Sequence, residues 1–468
     1  MLGHNFRIRT KHLACAIPVS GIIRKGIDLS PGRFGLYMEK IVVRGGNPLF
    51  GNVEISGMKN AALPIIYACV LVKNKCIIEN IPAVRDVTVS FNILRSMGAS
   101  IRMLSKNTYE IDCTNIDIES VPVDAFRKMR ASYYLLGAEL GRFGRAKVGF
   151  PGGCDFGERP IDQHIKGFEA LGGVVDLENG NIAIEAKDGR LTGTNIFFDL
   201  VSVGATINIM LAAATAEGTT IIDNAAREPH IVDLANFLNT CGANIRGAGT
   251  DMIKIKGVPS LHGCSYAIIP DMIEAGTFMI AAAATRGCVR INNVIPKHLE
   301  SIAAKLDEIG VTVEELDDAV LVKGTADMTR TSVKTHPYPG FPTDMHPQMT
   351  VLLSQASGVS YITEGVYENR FRYVDELRRM GAQIKVDGRT AIIEGGASLS
   401  AAPVRAVDLR GGVAMIIAGL IADGETEVED IHLIERGSDD IVGKLQRIGA
   451  DIRKVIVPDD EGALQKAN

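Results

Sequence analysis

The chain has 468 residues, 46% of them apolar and 22% charged, with a formal net charge of −5. That length exceeds what one hydrophobic core usually serves, and the composition excludes a disordered or fibrous chain. The negative balance argues against broad nucleic-acid binding, although a local basic pocket for a small anion stays open. Eight cysteines lie scattered without paired spacing, mostly in apolar runs, which reads as a reduced, cytoplasmic protein. No Cys/His pattern has metal-ligand spacing along the chain, so no metal is expected.

Residues 1–37 carry six Lys/Arg against one Asp and contain no apolar run long enough to span a membrane. They read as an extension outside the fold, which is expected to start near Met38, with 458–468 as a tail. From there a pattern repeats six times: a helix-like segment, an apolar-Gly-small signature, and a strand-like run. The six glycines are Gly98, Gly172, Gly242, Gly310, Gly381 and Gly449, at intervals of 68 to 74 residues. Each is expected to cap a helix C-terminus in the left-handed conformation and turn the chain into a strand.

In the same phase runs a second helix-like segment, apolar on nearly every face, as in ATINIMLAAATAEG, AGTFMIAAAATRG and GGVAMIIAGLIADG. A helix apolar all round is buried all round. The units therefore predict an α/β protein with apolar helices inside and sheets with amphipathic helices outside. Six units divide naturally into two domains of three, 59–268 and 38–58 with 269–457, the chain crossing near 258–270.

Residues common to every unit point to the scaffold, and departures from the repeat point to chemistry. A basic residue precedes each amphipathic helix: Arg85, Arg159, Arg227, Lys297, Arg370 and Arg436. Taken alone, that row favours a structural role. The connection leading to it is longest in the second unit, 15 residues from Gly144 to Arg159, and the surplus contains Cys154 in PGGCDFGERP. A long glycine-bearing loop suits a lid that carries a reactive group. The starts of the apolar helices depart from one another as well, bringing Lys59, Arg130 and Arg410 together with Asp271, Asp344 and Asp408. Helix N-termini bind anions, so six such ends facing one cleft would hold phosphate or carboxylate groups. Asp344 and Asp408 read equally as plain N-caps, Lys59 as a solvated side chain, His164 as an ordinary helix residue, and Ser202-Val203-Gly204 as a tight turn.

The ordered set GMKNAALP, KMRASYYLLG, PGGCDFGERPIDQHI, SVGAT, NAAREP, FPTDMHPQ, ENRF and DLRGG resembles the UDP-N-acetylglucosamine enolpyruvyl transferases over residues 38 to about 457. The resemblance implies a two-domain, inside-out α/β barrel of six βαβαββ repeats. It implies transfer of the enolpyruvyl group of phosphoenolpyruvate to the 3′-hydroxyl of UDP-N-acetylglucosamine at the start of peptidoglycan synthesis, with no cofactor and no metal. By similarity, Cys154 is the general acid and Asp344 receives the hydroxyl proton, with Lys59 and Asn60 as the catalytic pair. Lys59, Asn60, Arg130, Arg159, Arg410 and Arg436 meet phosphoenolpyruvate. Arg130, Pro160, Asp162, His164, Ser202, Val203, Gly204, Asp344 and Val366 meet the nucleotide sugar. Leu200, Met272 and Tyr338 depart from the family pattern at nucleotide contacts. The sister transferases acting on shikimate 3-phosphate share the fold but lack the Cys-bearing lid. A catalytically silent repeat protein would leave the ordered Lys, Arg, Cys and Asp unexplained.

The role implied for Cys154 has a direct check. Cys154→Ser is expected to abolish covalent labelling by the epoxide fosfomycin, read from the intact mass; unchanged labelling would remove Cys154 from that role.

Overall fold

The structure of the protein, a computed structural model, describes residues 37–118, 129–149, 161–177 and 180–458. Glu39–Val457 form one compact unit. Six apolar helices run through it: α1 (Lys59–Ala68), α2 (Tyr134–Phe143), α3 (Val203–Ala213), α4 (Met272–Ala284), α5 (His346–Leu353) and α6 (Leu409–Ile421). Their sequences have no polar face to offer water, and nearly every position is buried. α2 packs on α1 and α3, while α4, α5 and α6 pack on one another, giving two groups of three.

Each of the first five apolar helices is followed by a strand, an amphipathic helix and two further strands, as the repeat predicts, and the sixth by a strand, an amphipathic helix and one strand. Arg85–Ser96 shows the amphipathic type: it buries Asp86, Val87, Ser90, Phe91, Ile93 and Leu94, one face at helical spacing, and leaves the rest to solvent. The six repeat glycines all sit at positive φ, between +89° and +101°, which a side chain would strain. The expected helix stops are therefore present in every unit.

Sheet membership follows the same division into two groups. One group of sheets draws its strands from residues 76–267, and the other from 37–54 and 288–458, with none shared. Two parallel pairings carry the chain from one group to the other. Phe50–Glu54 lies beside Cys288–Asn292, with Val53 opposite Ile291. Ser265–Ala267 lies beside Cys76–Glu79, with Ser265 opposite Ile77. The first and fourth units have thus exchanged their leading strands. Tyr37–Arg44 supplies the sixth unit with its remaining strand, pairing antiparallel with Glu425–Glu429. Among the described residues no helix is long and apolar enough to cross a membrane.

Close backbone approach aligns the helix starts. Asn208 on α3 accepts from the Gly137 amide of α2 through Oδ1 at 2.9 Å, and a Cβ on Gly137 would stand 2.3 Å from the Asn208 carbonyl oxygen. Only glycine lets α2 and α3 come this close. At the other crossing Gly57 bridges Pro270, tying the start of α1 to that of α4.

Candidate functional site

Charge at the starts of the apolar helices must be paired, because an isolated guanidinium or ammonium there would lose its hydration without return. Two carboxylates supply the pairing. Asp344 lies in the single 3-10 turn Thr343–Met345 ahead of α5 and makes no cap hydrogen bond. Arg370 donates to its Oδ1 at 2.9 Å, and Arg410, in the first turn of α6, donates to its Oδ2 at 3.0 and 3.1 Å. Burial pulls the Asp344 carboxyl upward, but Arg410 and Arg370 outweigh it and hold the group well below the usual carboxylate range. The side chain keeps 27% of its surface open to solvent, against 1% for Arg370 and 7% for Arg410. It is an ionised, partly open carboxylate clamped by two buried cations.

Asp86 is the second centre. Lys59, the first residue of α1, approaches its Oδ2 at 3.3 Å, and Arg436 donates to its Oδ1 at 3.2 Å. Gly437 permits this meeting: a Cβ there would fall 2.6 Å from Leu409 and 3.3 Å from the Lys59 Nζ. The start of α1 and the 3-10 helix Ile431–Arg436 therefore converge on one carboxylate carried by the amphipathic helix of the first unit.

A third group gathers at α2 and α3. The Arg130 guanidinium lies 5.5 Å from the centre of the Tyr133 ring, which meets His164 edge-on at 4.8 Å. His164 is buried, and its Nδ1 contacts the Asn208 side-chain amide at 3.0 Å. Burial, and then the neighbouring Arg130 charge, push the imidazole down to about 3, so it stays neutral. Gly204 covers it, since a Cβ there would stand 2.4 Å from the Tyr133 hydroxyl and 2.9 Å from the His164 Nε2. Ser202 caps α3, accepting from the Ala205 amide at 3.3 Å. The turn reading of Ser202-Val203-Gly204 becomes a capped helix start that glycine lets sink onto His164.

Glu364 organises the edge next to Asp344. Fully buried, it accepts from the Thr343 hydroxyl at 2.9 Å and from the amides of Val366 and Tyr367 at 2.8 and 3.0 Å. Val366 is left 36% exposed at the rim. Across from it, His230 opens the helix Pro229–Thr240, with a neutral imidazole that burial pushes down to about 4 and that feels the Asp344 charge. The His230 Nδ1 and the neighbouring Glu228 Oε2 are buried without a hydrogen-bond partner. Buried polar atoms left unmet at a cluster of charges mark a place for a polar ligand.

The sequence-based expectations divide accordingly. Lys59 and Arg436 meet at Asp86, Arg410 meets Asp344, and Arg130 stands with His164, Ser202, Val203 and Gly204. Asn60 is half-buried beside Lys59; Asp162 is exposed and accepts from the Gln163 side chain at 3.0 Å. Cys154, Arg159 and Pro160 lie outside the described residues. Asp271 and Asp408 are N-caps, each accepting from two amides of its own helix, whereas Asp344 is none. The basic row does not behave as one scaffold feature. Arg85, Arg227 and Lys297 are exposed, while Arg370 and Arg436 turn inward onto Asp344 and Asp86. Asp86 itself escaped the sequence reading, although an acid at the i position of an i, i+4, i+7 buried face with Ser90 and Ile93 was its signal. Spacing along the chain gave no sign of one further grouping: Cys76, Cys241 and Cys264 bring their sulfurs within 4.8 Å of one another from three separate segments.

The profile of the EPSP synthase (3-phosphoshikimate 1-carboxyvinyltransferase) family matches residues 43–445. A UDP-N-acetylglucosamine 1-carboxyvinyltransferase from Clostridium botulinum is 56% identical over 89% of this chain and 99% of its own length. A second protein of that name, from Caldanaerobacter subterraneus, is 54% identical over 89% of this chain and 100% of its own. Among solved structures, the enolpyruvyl transferase NikO from Streptomyces tendae superposes with a TM-score of 0.82 at 27% identity, covering 90% of this chain and 100% of NikO. EPSP synthase from Acinetobacter baumannii gives 0.68 at 18% identity, over 89% of this chain and 100% of its own, a likeness of fold.

The pairing at Asp86 is open to measurement without a substrate. Asp86→Asn removes the carboxylate from two cations and is expected to cost about 3 kcal/mol of stability. Added inorganic phosphate is expected to raise the thermal midpoint of the variant more than that of the parent, by occupying the same cations. An unchanged midpoint with no extra phosphate response would show that Asp86 does not hold them.

Proposed function

Because the chain belongs to the EPSP synthase family, and within it to the UDP-N-acetylglucosamine 1-carboxyvinyltransferases, we propose that it transfers the enolpyruvyl group of phosphoenolpyruvate to the 3′-hydroxyl of UDP-N-acetylglucosamine. Phosphate leaves, and the product is UDP-N-acetylglucosamine enolpyruvate, the first committed intermediate of the bacterial cell wall. The observation that carries this reading is 56% identity spread over 99% of a transferase of that name. The shikimate 3-phosphate alternative has behind it the name of the family profile, which spans both activities, and a likeness of fold at 18% identity.

The reaction is an addition followed by an elimination. A proton is added to the enol methylene carbon, C2 gains oxocarbenium character, and the sugar oxygen bonds to it as the hydroxyl proton departs. Loss of the methyl proton and of phosphate restores the double bond, so the net exchange is one C–O bond for another. Asp344 is the proposed acceptor of the hydroxyl proton: it is ionised, partly open, and adjacent to Val366 at the rim. Lys59, Arg130, Arg410 and Arg436 are the proposed cations for phosphate and carboxylate, joined by Asn60 and Arg159, and Cys154 is the proposed acid. The nucleotide sugar is assigned to Pro160, Asp162, His164 and Ser202–Gly204, with His164 acting from beneath Gly204 to hold that helix start in place. The two domains are taken as 59–268 and 38–58 with 269–457, a division supported by the segregation of the sheets.

In this assignment Asp86 and Asp344 hold the site's cations until the anionic substrate arrives. An incoming phosphate draws Lys59 and Arg436 from Asp86, and a carboxylate or phosphate draws Arg410 from Asp344. With one guanidinium withdrawn, the Asp344 carboxyl rises toward its ordinary value and becomes a better base as the sugar hydroxyl reaches it.

Phosphate release measured with phosphoenolpyruvate and either acceptor tests the assignment. Release is expected with UDP-N-acetylglucosamine and not with shikimate 3-phosphate; the reverse pattern would overturn it. In the same assay Asp344→Asn is expected to lower kcat by about 10²–10⁴-fold, the range for a lost general base.

A further inference from the structure

The cysteine cluster lies apart from the charged site. Cys76 opens the strand Cys76–Glu79, Cys241 ends the helix Pro229–Thr240, and Cys264 stands just before the strand Ser265–Ala267 that pairs with the first. Three segments distant in sequence thus deliver three thiols to one point. The Cys241 and Cys264 sulfurs are 3.4 Å apart, and all three sulfurs lie within 4.8 Å of one another. A fourth thiol, Cys69 at the end of α1, is fully buried in side-chain contact with Cys76.

From this convergence we infer that the protein binds one thiophilic divalent cation, zinc, through Cys76, Cys241 and Cys264, with Cys69 as the thiol placed to complete the set. Tetrahedral zinc with bonds of about 2.3 Å spaces its sulfurs about 3.8 Å apart, between the 3.4 Å pair and the 4.8 Å limit, a mismatch that rotation about the Cα–Cβ bonds absorbs. Sulfur ligands select zinc or a similar soft ion over magnesium and calcium, which take oxygen. Each thiol gives up a proton as the ion binds, so uptake releases protons and weakens as the solution is acidified. Cys264 is half-buried and gives the cluster its exposed side, and its chain neighbour Gly263 lines an open groove of about 510 Å³ together with Lys75, Asp112, Thr114 and His262.

The position gives the site a structural role. Cys264 lies on the segment by which the chain leaves the first group of sheets, so the ion would fasten the end of the third unit to the start of the first. The helix it would hold by Cys241 carries His230 at its opposite end, about 18 Å away for 12 residues. That distance separates the ion from the reaction, and its effect is expected on stability.

Cobalt substitution tests the inference. Full-length protein, purified reduced and free of metal, is titrated with Co²⁺ and in parallel loaded with Zn²⁺, desalted and assayed for bound metal. The expected result is about one zinc per chain and a cobalt–thiolate charge-transfer band of tetrahedral type. Both are expected to be lost in Cys76→Ser and Cys241→Ser and kept in Cys154→Ser and Cys288→Ser. Should the serine variants not fold, the cobalt spectrum of the folded parent decides alone, because its intensity reports the number of thiolates. Absence of the band in reduced, folded parent protein would overturn the inference. So would retention of the metal in Cys241→Ser, or isolation of the protein with Cys241 and Cys264 joined as a disulfide that excludes the ion.

Discussion

A cation at the start of an apolar helix has nowhere to go for hydration, and the arrangement of this molecule's charged residues follows from that constraint. Arg410 sits in the first turn of α6 and Lys59 begins α1, each at the head of a helix whose later residues are almost all apolar and buried. Removing the partner of such a charge costs about 3–5 kcal/mol, whereas the pair itself adds little net stability. Asp344 and Asp86 meet the need, and each answers two cations drawn from different elements. The same carboxylates that make burial tolerable also keep the cations from scattering, so the positive charge stays concentrated where an anion can claim it.

The helices themselves contribute a second layer of positive potential. Asp271 and Asp408 cap their own helices and so consume the amide donors and dipole of α4 and α6 locally. Asp344 does not, and its two oxygens are committed to guanidinium groups instead of amides. Three aspartates at equivalent places in the repeat therefore have two different functions. The difference is geometric: an extra turn, Thr343–Met345, pushes Asp344 off the axis of α5 and toward Arg370 and Arg410.

Much of this was legible in the amino-acid sequence, and the limits are physical. Periodicity exposed the six helices and the glycine stops, because these depend on local pattern. The exchange of leading strands between the first and fourth units was not visible, since Phe50–Glu54 carries no mark of its partner Cys288–Asn292. Among the candidate site residues, Arg130 and Arg410 stood out by their place beside apolar helices. The acid Asp86 was missed because it lies on an amphipathic helix, where one charge among several attracts no notice until its face is known to be buried. The row of basic residues shows the opposite error: a shared place in the repeat suggested equal roles, but Arg370 and Arg436 turn inward onto Asp344 and Asp86 while Arg85, Arg227 and Lys297 lie exposed. Cysteine grouping was unreadable for the same reason as the strand exchange, being made by segments that meet only in the fold.

The helix Pro229–Thr240 connects these observations. Its first turn presents His230 to the Asp344 charge, and its last residue hands the chain to Cys241 in the thiol cluster. Asp233, between them on the buried face, accepts from the Tyr266 hydroxyl at 2.6 Å, tying the helix to the strand that leads out of the first group of sheets. Burial raises the Asp233 carboxyl to about 6, so its contribution to stability is complete below its ordinary value near 4 and fades as the pH rises through 6. At neutral pH the helix therefore keeps an ionised acid in its buried face, where the Tyr266 hydroxyl donates to both its carboxylate and its backbone carbonyl. One helix thus runs from the neighbourhood of the Asp344 charge to the thiol cluster, with its middle tied to the strand Ser265–Ala267 through Asp233.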